Sequence, residues 1–118
     1  MRGKICLVDH DLKSSDFLRE CLENKGHQVV ILKNGFLLKP YLSHEHFNLF
    51  ILNLATPGIR EKGLLFDIHQ FHPSKILLII SERGDPFPKE AIDLGVYGFI
   101  YKPFNLKEVY TMVNHLTR

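Results

Sequence analysis

Lys4-Ile5-Cys6-Leu7-Val8-Asp9-His10-Asp11 is the stretch on which the rest of the chain is read. Lys4–Val8 is a short apolar run that reads as a buried strand, and it stops abruptly in a polar cluster, Asp9-His10-Asp11. From Leu12 to about Lys25 the residues Phe17, Leu18, Cys21 and Leu22 recur at helical spacing, and Gly26 ends that helix. Asp11 stands immediately before the helix, where its carboxylate is expected to cap it. A strand, a polar turn and an amphipathic helix therefore open the chain.

The same unit repeats outward from there. Gln28–Leu32 is a β-branched run and a second strand. Asn34-Gly35 turns the chain into a short helix over Phe36–Ser43, disturbed by Pro40. Phe47–Asn53 is the third strand, broken by Thr56-Pro57-Gly58, with a loop running to Gly63. Leu64, Leu65 and Ile68 supply the apolar face of the next helix, which stops before Pro73. Ile76–Ile80 is the most hydrophobic strand, followed by Ser81-Glu82 and the breakers Gly84, Pro86 and Pro88. Lys89–Leu94 reads as a short helix closed by Gly95. Gly98–Tyr101 is the fifth strand, ending at Lys102-Pro103, and Leu106, Val109, Tyr110, Val113 and Leu116 form the inner stripe of a last helix. Short buried strands alternating with helices predict an α/β fold, a parallel sheet covered on both faces. One domain over residues 1–118 is expected, since 118 residues leave little room for two and nothing reads as a linker.

Composition narrows the functional classes. At 45% hydrophobic and 24% charged residues the chain can bury an ordinary core, which excludes a disordered or fibrous protein. The net charge of +2 is spread along the chain, so no nucleic-acid footprint is read within it. The apolar run after Met1 is too short for a signal peptide or a membrane span, so no membrane association and a cytoplasmic location are expected. Cys6 and Cys21 are read as buried, reduced thiols rather than a redox pair.

In open α/β sheets, ligands gather beyond the carboxyl ends of the strands. That rule alone singles out Asp9-His10-Asp11 after strand one, Asn53 after strand three, Ser81 after strand four and Lys102 after strand five. Acids, an amide, a hydroxyl and an ammonium would converge on one crevice. Polar strand ends are common, so the coincidence is set against loops that merely happen to be polar.

With those four positions in view, the chain resembles response-regulator receiver domains over essentially its whole length. The resemblance lies in LVDHD at Leu7–Asp11, ILNLATPG at Ile51–Gly58, IISE at Ile79–Glu82 and GFIYKPF at Gly98–Phe104. It implies a three-layer sandwich, a five-stranded parallel sheet in flavodoxin-like order 2-1-3-4-5 with helices on both faces. It also implies a two-component signalling role. In that family an acidic pair after strand one and an aspartate after strand three hold Mg²⁺, and the third aspartate takes the phosphoryl group. A Ser or Thr after strand four and a Lys after strand five contact the phosphoryl oxygens. Carried over, Asp9 matches the first acid, while His10 replaces the second and Asn53 replaces the phosphoacceptor. Ser81 and Lys102 match, Phe99 matches the switch aromatic, and a cis peptide bond is implied before Pro103.

The departures define the expected chemistry. A carboxamide is neutral and its oxygen is a poor nucleophile, so Asn53 cannot form an acyl phosphate. With two of three acids gone, Mg²⁺ is expected to bind weakly at Asp9 or not at all, and no other cofactor is implied. Asp9 against Lys102 balances charge without an ion, and Asn53 is expected to accept from Lys102 and donate to Ser81 or a backbone carbonyl. The chain is therefore read as a non-enzymatic, phosphorylation-independent receiver acting on a protein partner such as a sensor kinase or an output domain. Two rivals stand beside it: a phosphorelay receiver that uses Asp9 or Asp11 as acceptor, and a small flavodoxin-like hydrolase with Ser81 as nucleophile. The loop Ile59–Lys62 runs about two residues longer than is usual in the family, which either reshapes the crevice mouth or is a neutral insertion.

Seven histidines raise a metal reading. His44 with His46 and His69 with His72 lack a completing set, so scattered surface histidines are favoured. His10 is read first as a tolerated substitution and second as a pH-sensitive element. Tyr97, Phe99, Tyr101 and Tyr110 are read mostly as core, with a partner or homodimer surface around Tyr101 and Tyr110 as the alternative.

Overall fold

The computed structural model describes residues 3–60, 63–71, 75–80 and 96–117. Ser81, Glu82, the expected short helix Lys89–Leu94 and His72 lie outside these residues. The chain runs β1 (Lys4–Val8), α1 (Leu12–Asn24), β2 (Gln28–Leu32), a 3-10 turn (Gly35–Leu37), α2 (Leu38–Leu42), β3 (Leu49–Asn53), α3 (Leu64–Phe71), β4 (Ile76–Ile80), β5 (Gly98–Tyr101) and α4 (Leu106–Leu116). The five strands form one parallel sheet in the order β2-β1-β3-β4-β5.

Strand alternation divides the apolar residues between the two faces. Ile5, Leu7, Leu49, Ile51, Leu77, Ile79 and Ile100 pack with Leu18 and Leu22 of α1 and Val109, Val113 and Leu116 of α4. Cys6, Val8, Phe50, Leu52, Leu78 and Ile80 face the other way, onto Leu38 and Leu42 of α2 and Leu65 and Ile68 of α3. The continuous apolar runs in β1, β3 and β4 follow from this, since a central strand is covered on both sides. Each fully buried Leu or Ile contributes about 1.5–3 kcal/mol relative to exposure, so the central strands hold the scaffold rigid under the crevice.

Local signals explain most boundaries. Asp11 caps α1, accepting from Lys13 N at 3.1 Å and Ser14 N at 3.5 Å. Gly26 closes the helix at φ 94°, a left-handed conformation that costs glycine nothing. Asn105 caps α4 by accepting from Glu108 N at 3.2 Å. Pro40 falls in the first turn of α2, where no intrahelical partner awaits its nitrogen, so it shapes the helix rather than breaking it. Gly58 is required at φ +88°, because a Cβ there would lie 2.8 Å from Phe36 N where the turn after β2 meets the loop after β3.

Several expectations need correction. The third strand starts at Leu49 rather than Phe47. Asn48 Oδ1 accepts from Lys4 N at 2.8 Å and Asn48 N donates to Lys4 O at 2.7 Å, so Asn48 is tied to β1 by side chain and backbone just before the β3 strand begins. Cys6 is buried, but Cys21 is only half-buried. Of the histidines, His27 is buried at 4% exposure, not on the surface. Tyr97 and Tyr101 are exposed at 46% and 55%, not core. Phe99 packs partly buried against the α2–α3 side, whereas Tyr110 packs on the α1–α4 side with the Lys25 ammonium 4.9 Å above its ring. Tyr101, on the edge strand β5, lines a hollow with Glu108 and Val109 of α4, the helix that carries Tyr110.

Candidate functional site

β1, β3 and β5 deliver their last side chains to the same end of the sheet. Asp9, just past β1, is fully buried and is the centre of the cluster. Its Oδ1 accepts from Asp11 N at 2.9 Å and from Asn53 Nδ2 at 2.9 Å. Its Oδ2 accepts from Lys102 Nζ at 3.2 Å and from Ser14 Oγ at 3.3 Å. Four donors, one of them a full positive charge, satisfy one buried carboxylate. Burial of an unpaired charge would cost far more than this arrangement does.

Asn53, at the end of β3, is 1% exposed. Its amide nitrogen faces Asp9 and its Oδ1 accepts from Ala55 N at 2.9 Å. The reverse orientation would set oxygen against a carboxylate and NH₂ against an N–H, so the neighbours fix which way the amide points. The expected Lys102–Asn53 bond is not what forms. Lys102 turns instead to Asp9 and to Ser14 Oγ, at 2.7 Å, because a carboxylate outcompetes a neutral amide for an ammonium. Asp11 Oδ2 lies 3.9 Å from the same Nζ. The carboxyl of Asp11 is held below the usual carboxylate value by the Ser14 backbone N–H first, with the Lys102 charge assisting against desolvation.

His10 stands at the edge of this cluster, its Nδ1 3.8 Å from Asp9 Oδ1 but hydrogen-bonded elsewhere. Its backbone N donates to Thr56 Oγ1 at 3.1 Å and its Nδ1 shares a bond with the same hydroxyl at 3.0 Å. Thr56 is buried at 2% exposure, so the pair ties the β1–α1 turn to the loop after β3. In that loop Ile59 is buried in the α2–α3 core and Arg60 Nε donates to Leu54 O at 3.1 Å, so these two residues are anchored to the body of the domain. The Lys102–Pro103 peptide bond is cis. Ser14 and Thr56 are the two site residues the sequence did not reveal. Ser14 read as an ordinary first-turn helix residue and Thr56 as part of a chain-breaking triplet. A serine one turn beyond a capping aspartate, facing the crevice mouth, was the available signal.

Mg²⁺ takes near-octahedral oxygen ligands at about 2.0–2.1 Å, usually including a carboxylate. The residues present do not fit it. Both oxygens of Asp9 already face donors, the Asn53 oxygen is turned to a backbone N–H, His10 offers a nitrogen committed to Thr56, and an ammonium stands 3.2 Å from the acid. Among the described residues no group of three or more His, Cys, Asp or Glu is arranged to hold a metal ion.

Sheet order, crevice and the model of the response regulator receiver domain agree, that model matching residues 5–114. The chain belongs to the receiver-domain family of two-component response regulators. It is 30% identical over 111 residues to the transcriptional regulatory protein CrdR of Helicobacter pylori, covering 92% of this chain and 52% of that protein. The full-length FixJ structure from B. japonicum superimposes with a TM-score of 0.82 at 24% identity, covering 97% of this chain and 57% of that one. The signal receiver domain of an HD domain-containing protein from Pseudomonas fluorescens gives a TM-score of 0.81 at 25% identity, covering 98% and 94%. The receiver spans about half the length of the curated relatives it matches. No helix among the described residues is long and apolar enough to cross a membrane.

Proposed function

We propose that this receiver domain regulates a protein partner without being phosphorylated, its crevice held in one state by internal hydrogen bonds. A single observation carries the reading: Asn53 links Asp9 to the Ala55 backbone as a neutral connector. An attacking group in phosphoryl transfer needs an anionic or activated oxygen with its lone pair free, in line with the leaving group. The Asn53 oxygen has neither charge nor freedom. In the same reading Lys102, the group that would meet phosphoryl oxygens, is already neutralised by Asp9, and Mg²⁺ has no competent ligand set. Ser81 and Phe99 keep their proposed roles as phosphoryl-contact and switch positions inherited from the family.

The rival is phosphate on another acid. Asp9 is a poor candidate because it is sealed by four donors, which leaves Asp11, half exposed at 51%. One experiment separates the two. The protein is incubated with acetyl phosphate and Mg²⁺ and its intact mass recorded. The account expects no phosphoryl increment, and an increment mapping to Asp11 would establish the rival. The partner is proposed to be a sensor kinase or an output domain, met through exposed surface such as Tyr97 and Tyr101.

A further inference from the structure

Lys102 follows β5, and in the sheet β5 is separated from β1 by β4 and β3. Its ammonium nevertheless finds its polar partners, among the described residues, on the connection from β1 into α1. These are Ser14 Oγ at 2.7 Å, Asp9 Oδ2 at 3.2 Å and Asp11 Oδ2 at 3.9 Å. The shortest contact is with a neutral hydroxyl and not with either carboxylate. Ser14 lies in the first turn of α1, and its own proton has Asp9 Oδ2 at 3.3 Å and Asp11 O at 3.4 Å as acceptors. The hydroxyl therefore accepts from the ammonium and donates back to the acid, closing a ring of three side chains drawn from β1, α1 and the end of β5.

We infer that Ser14 is the positioning residue that holds Lys102 across the mouth of the crevice, and that it couples the first turn of α1 to the connection between β5 and α4. An ammonium is a point charge on a flexible four-carbon stem, and a lone carboxylate holds it with little directional preference. A hydroxyl fixed on a helix adds a second, directional partner. Any displacement of α1 then pulls on Lys102 and, through it, on Pro103–Asn105. The coupling concerns this chain's own side chains and stands whether or not the crevice takes phosphate.

The test is solution NMR on the whole chain, reading the Lys102 ammonium signal and the backbone amides together. In wild type the Lys102 ammonium protons exchange with water more slowly than those of the exposed lysines Lys13 and Lys107. Ser14→Ala is expected to speed that exchange about tenfold, the scale of one hydrogen bond to a charged group, and to shift amides at Lys102 and Phe104–Asn105 as well as in the first turn of α1. Ser14→Thr, which keeps the hydroxyl, restores both. A serine that serves only the helix would alter first-turn amides and leave the ammonium and residues 102–105 unmoved, and that result overturns the inference. A folded Ser14→Thr variant that behaves like Ser14→Ala overturns it too. Alanine is the better helix former, so the variant is expected to fold. Should it not, the wild-type measurement decides: a Lys102 ammonium exchanging as fast as Lys13 and Lys107 sinks the proposal.

Discussion

The two ends of the sheet bury polar groups in opposite ways. At the carboxyl ends of the strands the buried group is a charge, Asp9, paired with Lys102 and hydrogen-bonded by Asn53, Ser14 and a backbone amide. At the amino ends it is a ring, His27, whose Nδ1 accepts from Gly3 N at 3.0 Å. Burial, followed by the charge of the chain's amino terminus, pushes the His27 pKa below its ordinary 6.5, against a hydrogen bond to Asn114 that raises it. The first end is held by balanced charge, which depends on every partner being present. The second is held by a proton being absent, which depends on pH. The two ends should therefore fail under different insults.

The largest expected effect tests the charged end. Lys102→Met leaves Asp9 buried without its cation, and removing one partner of a buried ion pair costs about 3 kcal/mol or more. Urea denaturation at pH 7 measures it. A loss below about 1 kcal/mol, the range of an exposed pair, would show that Lys102 and Asp9 are not electrostatically closed.

A smaller effect tests the neutral end, and its sign follows from the lowered pKa. As pH falls, the unfolded chain takes the His27 proton first, near 6.5, while the folded chain resists it to lower pH. The stability His27 contributes is thus fully present above about pH 6.5 and is lost as pH falls from there through the lowered folded value. Wild type should lose stability more steeply between neutral and mildly acidic pH than His27→Gln, whose side-chain oxygen can still accept from Gly3. Parallel pH profiles would remove His27 from the account and leave only the charged end distinctive.

Much of this was legible in the sequence, and the omissions have physical causes. Continuous apolar runs such as Ile76–Ile80 marked the central strands because both faces of each are covered. Asp9, Asn53 and Lys102 could be found because the strand-end rule needs only the order of elements. The direction of the hydrogen bonds could not. It depended on which acceptor Lys102 would choose, and that choice required the distance to Asp9. Ser14 stayed hidden for a related reason, since a small polar residue in a first helical turn usually faces water. His27 carried no pattern that separates a buried ring from a surface one, because β2 is an edge strand and its neighbours are only partly covered. Tyr101 was misplaced because strand alternation puts it beside Phe99 but says nothing of what lies over that face.

The central claim is that the crevice is closed from within and has no place for a metal ion with a phosphoryl group. Amide NMR during titration with Mg²⁺ and beryllofluoride tests it most directly, with Asn53→Asp measured in parallel. The account predicts that wild-type signals at Asp9–Asp11, Asn53–Ala55 and Lys102 stay in place, while Asn53→Asp, which sets a second carboxylate beside Asp9, responds. Saturable shifts at those residues in the wild-type protein would contradict it.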